Sequence, residues 1–495
     1  MTVLCILIGH DFVNEVQVTA QIFFPRAGFK IVHEKPNNLA ESILGIEFAV
    51  ECLMHDSTIT AVIYRHGEAI ATYAYPLDSD TQKPYLNDRR RVMLAVYFAL
   101  QLGVGAYTPW GALTGIRPSK LVREWLDSDW FSSENKAQEI AQTLMDTFYV
   151  HEAKAWLALD VAKREQIVNK RIWDSPSATH LMTPVGIYAS IPFCPTRCVY
   201  CSFNTSHKPP AAQFLGQYVA ILAAECRQKA QYLQEIGGRV SSIYIGGGTP
   251  TALPDYLLTH VLEAIGSAFE PFFNIADIEY TVEGGRPDTF TPENLRLLKD
   301  YGVTRLAVNP QTLNDCTLKT IGRNHTAADF FRAFDLASNV GFRTINTDII
   351  AGLPGETEAD MHRNMEALAK YAPENITIHT LAVKRASKLN EHHGEYMLPQ
   401  LENIEKMLQI AHDGCVSSGL HPYYLYRQKN MVGRFENVGY AKDGHECQYN
   451  VGMMAETQSI LGLGAGAVTK IIEGGKITRT FNPKDVELYI ARNKL

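Results

Sequence analysis

The chain has 495 residues, 46 % of them apolar and 20 % charged, which excludes a disordered protein and a single small domain. A net charge of −7 provides no global basic field for a phosphate backbone, so nucleic acid is not expected as a partner. No apolar run reaches the roughly 18 residues that span a bilayer. Nine cysteines, scattered except for one cluster, do not read as a secreted disulfide framework, and a cytoplasmic location is expected.

In chain order, the opening MTVLCILIGHDF is apolar only briefly and has no basic leader, so it predicts a buried strand and not a signal peptide. TITAVIYRHGEAIATYAYPL predicts a hairpin turning at His66 and Gly67, and DRRRVMLAVYFALQLG and SKLVREWL predict helices. Residues 1–150 read as a separate α+β domain whose role is not legible, followed by a polar, Lys-rich helical linker over 151–180. Arg117, Lys120 and Arg123 gather near a helix start, as a solvated helix end or a dock for an anion or acidic partner. Cys5, Cys52, Cys226, Cys316 and Cys415 read as plain buried or partly buried thiols, while Cys447 in GHECQYN keeps a functional reading open.

From about residue 185 short β-branched runs alternate with stretches of helical spacing. The runs are GIYASI (186–191), SSIYI (241–245), DIEYTVE (277–283), TRLAVN (304–309), TINTDII (344–350) and NITIHTLAV (375–383). Several of the helix candidates between them start at Thr, Pro or Asp and stop at Gly or Pro. Six such units over 181–390 predict an α/β partial (β/α)6 barrel, with an open doubly wound sheet as the alternative and 391–495 as a carboxyl-terminal extension. Both architectures collect ligands at the carboxyl ends of the strands.

The first of those ends carries SIPFCPTRCVYCSFNTS, with Cys194, Cys198 and Cys201 spaced C-x3-C-x2-C. A structural zinc site usually closes with four ligands from paired C-x2-C units. Three thiolates fit better a cubane iron–sulfur cluster with one iron left open, although zinc stays an alternative. The pattern resembles the signature of the radical S-adenosylmethionine (SAM) enzymes. The resemblance implies one 4Fe–4S cluster whose open iron chelates SAM, and whose electron releases a 5′-deoxyadenosyl radical that takes a hydrogen from substrate.

IYIGGGTPT ends the second strand run in three glycines, and the resemblance implies that Gly247, Gly248 and Thr249 contact SAM. Further positions are similar to the oxygen-independent coproporphyrinogen III oxidase (dehydrogenase) family, in particular its HemZ-type branch. The matches imply SAM contacts at Tyr188, Tyr200 and Glu283. Gln311, Arg323 and Asp348 would hold a second SAM, and Ala382 and Val468 would be weaker contacts; one or two SAM molecules are therefore expected. No catalytic side chain beyond the cluster and SAM is implied.

For this family the implied reaction is conversion of two propionates of coproporphyrinogen III to vinyl groups, giving protoporphyrinogen IX without oxygen. It needs a reductant protein such as flavodoxin or ferredoxin and a tetrapyrrole as substrate or ligand. The decarboxylating members carry a further cysteine two residues after the third ligand; here it is Phe203, which resembles the heme chaperone branch. A heme-trafficking chaperone that keeps cluster and SAM, and a radical SAM enzyme acting on heme, are the alternatives. His379, Lys384 and Arg385 near the sixth strand end are candidates for substrate carboxylates, and His392 and His393 for heme.

Overall fold

A computed structural model describes residues 1–35, 46–77, 83–115, 117–131, 134–174, 183–202, 211–274, 277–384, 386–428 and 431–492. The chain divides into two compact units, Met1–Leu159 and Asp160–Leu495. The division falls within the helix Glu152–Trp173, which covers most of the expected linker and buries Leu157, Val161, Val168 and Ile172.

The first unit carries β1 (Thr2–Ile8), β2 (Gly28–Val32), β3 (Phe48–Met54), β4 (Thr58–Arg65) and β5 (Glu68–Pro76) in the order β2-β1-β3-β4-β5. Strand β1 is buried over Val3–Leu7 and runs parallel to both neighbours, while β3, β4 and β5 are antiparallel. The hairpin turns where expected, with positive φ at both His66 (51°) and Gly67 (88°), a geometry that matches the twist of the flanking strands. Arg117 precedes the helix Pro118–Asp127, and its side chain, like those of Lys120 and Arg123, is half-buried and not fully solvated.

The second unit is built on one eleven-stranded sheet. Its parallel strands are β6 (Thr183–Ile191), β7 (Gly238–Gly247), β8 (Glu279–Glu283), β9 (Arg305–Ala307), β10 (Thr344–Ala351) and β11 (Asn375–Thr380), adjacent in chain order. Helices connect them, and along β10 and β11 apolar residues such as Ile349, Ile376 and Ile378 are buried while polar residues interleave with them. Those helices start and stop as the cap residues dictate. Thr291, Thr326 and Thr357 form capping boxes with Asn294, Asp329 and Asp360, and Gly341 ends Ala327–Val340 at φ 80°. This is the partial (β/α)6 barrel.

The carboxyl-terminal residues extend the sheet at both edges. Beyond β11 lie β12 (His421–Tyr426) and β13 (Asn437–Ala441), in the order β11-β13-β12 with antiparallel pairing. Strand β14 (Ser459–Leu463) joins β6 in parallel, a seventh parallel strand that the local pattern does not announce, and β15 (Val468–Glu473) and β16 (Lys476–Phe481) follow it antiparallel. Cys5, Cys52, Cys226 and Cys415 are buried. Cys316 is exposed, contrary to expectation, because it sits in the first turn of Asp315–Thr320 on the solvent side. Among the described residues no helix is long and apolar enough to cross a membrane.

Candidate active site

The barrel register sets the site. Pairing of Tyr188 with Tyr244, Ile191 with Gly247, Ile245 with Val282 and Glu283 with Ala307 brings the carboxyl ends of β6 to β9 level. Asp348 sits in the carboxyl half of β10 and His379 next to the end of β11. The unusual residues of the sequence therefore meet on one rim, although they are far apart in the chain.

The cysteine loop is pinned on both sides. At its start, Gly248 N–H donates to Ile191 O (2.8 Å) and Thr249 N–H to Phe193 O (2.8 Å). At its far end, Val199 N–H donates to Ile321 O (3.0 Å), Leu389 N–H to Val199 O (2.9 Å) and Thr196 Oγ1 to Gly322 O (3.1 Å). A Cβ on Gly248 would stand 2.5 Å from Phe193 O, so only glycine lets the turn lie against this loop.

Cys194 Sγ is 3.4 Å from Thr249 Oγ1, and burial pushes its thiol up to about 11. Cys198 and Cys201 act on Cys194 electrostatically, so the three thiols share one region. Among the described residues no three His, Cys, Asp or Glu side chains are drawn to ligand spacing around one point. The donor chemistry nevertheless suits an iron–sulfur centre: three thiols on one short loop, and a buried guanidinium, Arg286 Nη1, 3.8 Å from Cys198 Sγ.

Beside the loop, Glu283 Oε2 accepts from Gly247 N–H at 3.4 Å, and a Cβ on Gly246 would come within 2.6 Å of the same oxygen. This leaves a carboxylate beside bare backbone, a setting for a small ammonium-bearing ligand. Burial first, and the charge of Asp348 second, push Glu283 up to about 7.

Asp348 goes the other way. Burial alone would raise it, but hydrogen bonds from His379, Asn346 and Thr377 hold it below the usual carboxylate range. His379 Nε2 lies 3.5 Å from Oδ2, Asn309 Nδ2 donates to Oδ2 (2.8 Å) and Asn346 Nδ2 to Oδ1 (2.8 Å). Two neighbouring carboxyls with separated proton affinities are a common mark of a functional site.

Gln311 is 7 % exposed and has φ 70°, a left-handed conformation that costs a non-glycine residue about 1–2 kcal/mol. The conformation is held by Gln311 N–H donating to Asp348 O (3.0 Å) and Ile350 N–H donating to Gln311 O (2.9 Å). Arg323 donates through Nη1 to Asn309 O (2.8 Å) and Gly285 O (3.1 Å), and through Nη2 to Tyr200 Oη (3.5 Å). Its Nε and both ring nitrogens of buried His325 have no partner among the described residues, polar groups that a bound ligand or water would satisfy.

Tyr188 stacks on Tyr244 (6.2 Å) and Tyr449 (6.1 Å), which stack on each other at 4.7 Å, so the rim has an aromatic wall beside Glu283. Val468 packs against Gly462, the register partner of Tyr188, and Ala382 bridges Met431 just past β11. The structure thus brings together Tyr188, Gly247, Gly248, Thr249 and Glu283, and beside them Gln311, Arg323, Asp348 and Tyr200.

Lys384 is half-buried within electrostatic reach of Cys201. His392 instead is exposed and pairs with Glu395 at 3.2 Å. Cys447 is a buried thiol that donates to Glu279 Oε1 (3.3 Å), away from the rim. Phe203, Arg385 and the His393 side chain lie outside the described residues. The sequence reading missed Asn309, Asn346, Tyr244, Tyr449 and Arg286. Arg286 had a signal: a cation directly after a strand end, between glycines and proline, has little room to reach solvent.

Residues 188–368 match the Radical SAM superfamily, which implies a 4Fe–4S cluster, SAM and an external reductant. Over 415 residues, 83 % of this chain and 80 % of the relative, the chain is 36 % identical to the oxygen-independent coproporphyrinogen-III oxidase-like protein HemZ of Bacillus subtilis (strain 168). It is 30 % identical over 307 residues, 61 % of this chain and 74 % of the relative, to the heme chaperone HemW of the same organism. The solved structure of coproporphyrinogen III oxidase (HemN) from Escherichia coli shares the fold, with a TM-score of 0.50 and 22 % identity over 66 % of this chain and 72 % of that one. The chain belongs to the radical SAM family of oxygen-independent coproporphyrinogen-III oxidase-like proteins and is a radical SAM enzyme.

Proposed function

We propose that the chain converts two propionates of coproporphyrinogen III to vinyl groups, giving protoporphyrinogen IX without oxygen. The observation that carries this reading is the 36 % identity over 83 % of the chain to a coproporphyrinogen-III oxidase-like protein. When bound, the cluster and SAM would supply one-electron chemistry that removes a hydrogen atom from each propionate β-carbon, the carboxyl group leaving as carbon dioxide and the remaining electron passing to an external acceptor.

The chain's own residues bind, orient and shield. Cys194, Cys198 and Cys201 hold the cluster. Glu283, with the Gly246–Gly247 backbone, takes the ammonium group of SAM, and Tyr188 and Thr249 flank it. Tyr200 flanks the same SAM, and Gln311, Arg323 and Asp348 form the adjoining subsite, which takes a second SAM. The stacked rings of Tyr188, Tyr244 and Tyr449 keep water from the reacting centre.

Anaerobic turnover of reconstituted protein with dithionite, SAM and coproporphyrinogen III, followed by mass spectrometry, is expected to give deoxyadenosine with stepwise loss of two carboxyl groups. A second reading, heme chaperone, is supported by the 30 % identity to HemW. Reductive SAM cleavage with the tetrapyrrole unchanged, and heme bound with a strong Soret band, would replace the oxidase reading by this one.

The Glu283 assignment predicts a pH dependence. Only the carboxylate can pair with an ammonium group, and its proton is retained up to about pH 7. SAM affinity measured by calorimetry is therefore expected to fall below that pH, by up to roughly tenfold per unit. E283Q removes the dependence and weakens binding by about 1.5–3 kcal/mol. In the ligand-free protein the sign is opposite: a raised carboxyl pKa makes this residue's contribution to stability fall as pH rises from the ordinary range of 4.5 to about 7. A wild-type affinity that is flat through that range would count against the assignment.

A further inference from the structure

Arg286 follows β8 by three residues in the turn Gly284-Gly285-Arg286-Pro287. Gly285 has φ 67°, Arg286 N–H closes on Gly284 O at 2.7 Å, and Pro287–Thr289 forms a short 3-10 turn. Three side chains fix this turn. Thr251 Oγ1 donates to Gly284 O (3.1 Å), Thr289 Oγ1 to Arg286 O (2.8 Å) and Arg323 Nη1 to Gly285 O (3.1 Å).

The guanidinium so placed is 3 % exposed. Its Nε and Nη2 reach Asp288 Oδ1 (3.2 Å) and Oδ2 (3.5 Å), and Nη1 lies 3.8 Å from Cys198 Sγ. Asp288 is 24 % exposed, so its countercharge is partly spread into solvent, whereas the sulfur lies on the buried side. Arginine keeps its charge when buried, and a second donor directed at sulfur is of no use to Asp288.

We propose that Arg286 is a positioning residue that sets the reduction potential of the cluster held by Cys194, Cys198 and Cys201, by hydrogen bonding to the Cys198 thiolate and placing a fixed positive charge beside it. The proposal rests on those three cysteines being the cluster ligands. Reduction by the external one-electron donor adds one negative charge to the cluster and its thiolates. A neighbouring cation in a water-poor site favours that state, and a hydrogen bond to a ligand sulfur withdraws electron density from it, so both effects raise the potential. The residue would thereby ease entry of the electron that SAM cleavage consumes.

The test is a redox titration followed by electron paramagnetic resonance on anaerobically reconstituted full-length wild type, R286Q and R286K, with iron and sulfide content measured alongside. At equal iron content the midpoint of R286Q is expected to shift to more negative potential, and that of R286K to lie between it and wild type. A wild-type midpoint in R286Q, or R286K no closer to wild type than R286Q, overturns the proposal. If R286Q does not hold iron, D288N decides. Freed of its countercharge, Arg286 should shift the midpoint to more positive potential, and an unchanged or more negative value overturns the proposal. A wild type with no cluster signal removes the cluster assignment itself, and the proposal with it, and is told apart from these outcomes by its iron content.

Discussion

Cys198→Ala is expected to abolish both the cluster absorbance near the visible charge-transfer bands and all reductive cleavage of SAM, while leaving the far-ultraviolet circular dichroism of the apoprotein unchanged. The fold should survive because Cys198 lies on a loop held by backbone hydrogen bonds of its neighbours, Val199 N–H to Ile321 O and Cys201 N–H to Cys198 O, none of which needs the thiol. The chemistry should not survive, because a cluster with three protein ligands has none in reserve. The other cysteines offer no substitute: Cys226, Cys415 and Cys447 are buried thiols, and Cys316 is on the surface. Iron, sulfide and deoxyadenosine measured on the same preparation check this. SAM cleavage at the wild-type rate in the variant would rule out the ligand assignment.

The second large effect is expected at Gly248→Val. A Cβ there meets Phe193 O at 2.5 Å, Phe193 N at 2.8 Å and Ile191 O at 2.9 Å, all backbone atoms of the segment that delivers Cys194. None can swing aside as a flexible side chain would. Relief requires the glycine turn and the cysteine loop to part, breaking the Gly248 N–H to Ile191 O and Thr249 N–H to Phe193 O bonds. Overpacking of this kind costs about 1–3 kcal/mol, and here it also moves a cluster ligand.

Lower stability to denaturant together with reduced iron content after reconstitution is the expected pair of results. Gly216→Ala is the control. A Cβ at Gly216, in the helix Ala212–Glu235, meets nothing within 4 Å, and alanine is the better helix former by about 0.5–1 kcal/mol. That variant should be as stable as wild type or more so. A G248V protein with wild-type stability and iron content would contradict the packing argument.

The parts of this protein legible in its sequence are those governed by neighbours in the chain. Strand and helix positions from 185 to 383 followed from apolar period and caps, because Thr291, Thr326 and Thr357 satisfy helix ends locally. The His66–Gly67 turn and the three-cysteine spacing are local for the same reason. That the cysteines, the glycine turn, Glu283 and Asp348 lie on one rim was also legible, since successive parallel units place all their strand ends on one side.

Tertiary structure decided what depends on partners far apart in the chain. Strand β14 pairs with β6 across more than half of the second unit, a choice set by which sheet edge remained unpaired, not by any local pattern. Tyr449 reaches the aromatic wall from a helix near the carboxyl terminus, Asn309 from the loop after β9 and His379 from β11 converge on Asp348, and Arg286 meets Cys198 from a loop 88 residues away. Local propensity selects the elements, but a charge buried by distant segments has its environment only once the sheet has closed around it.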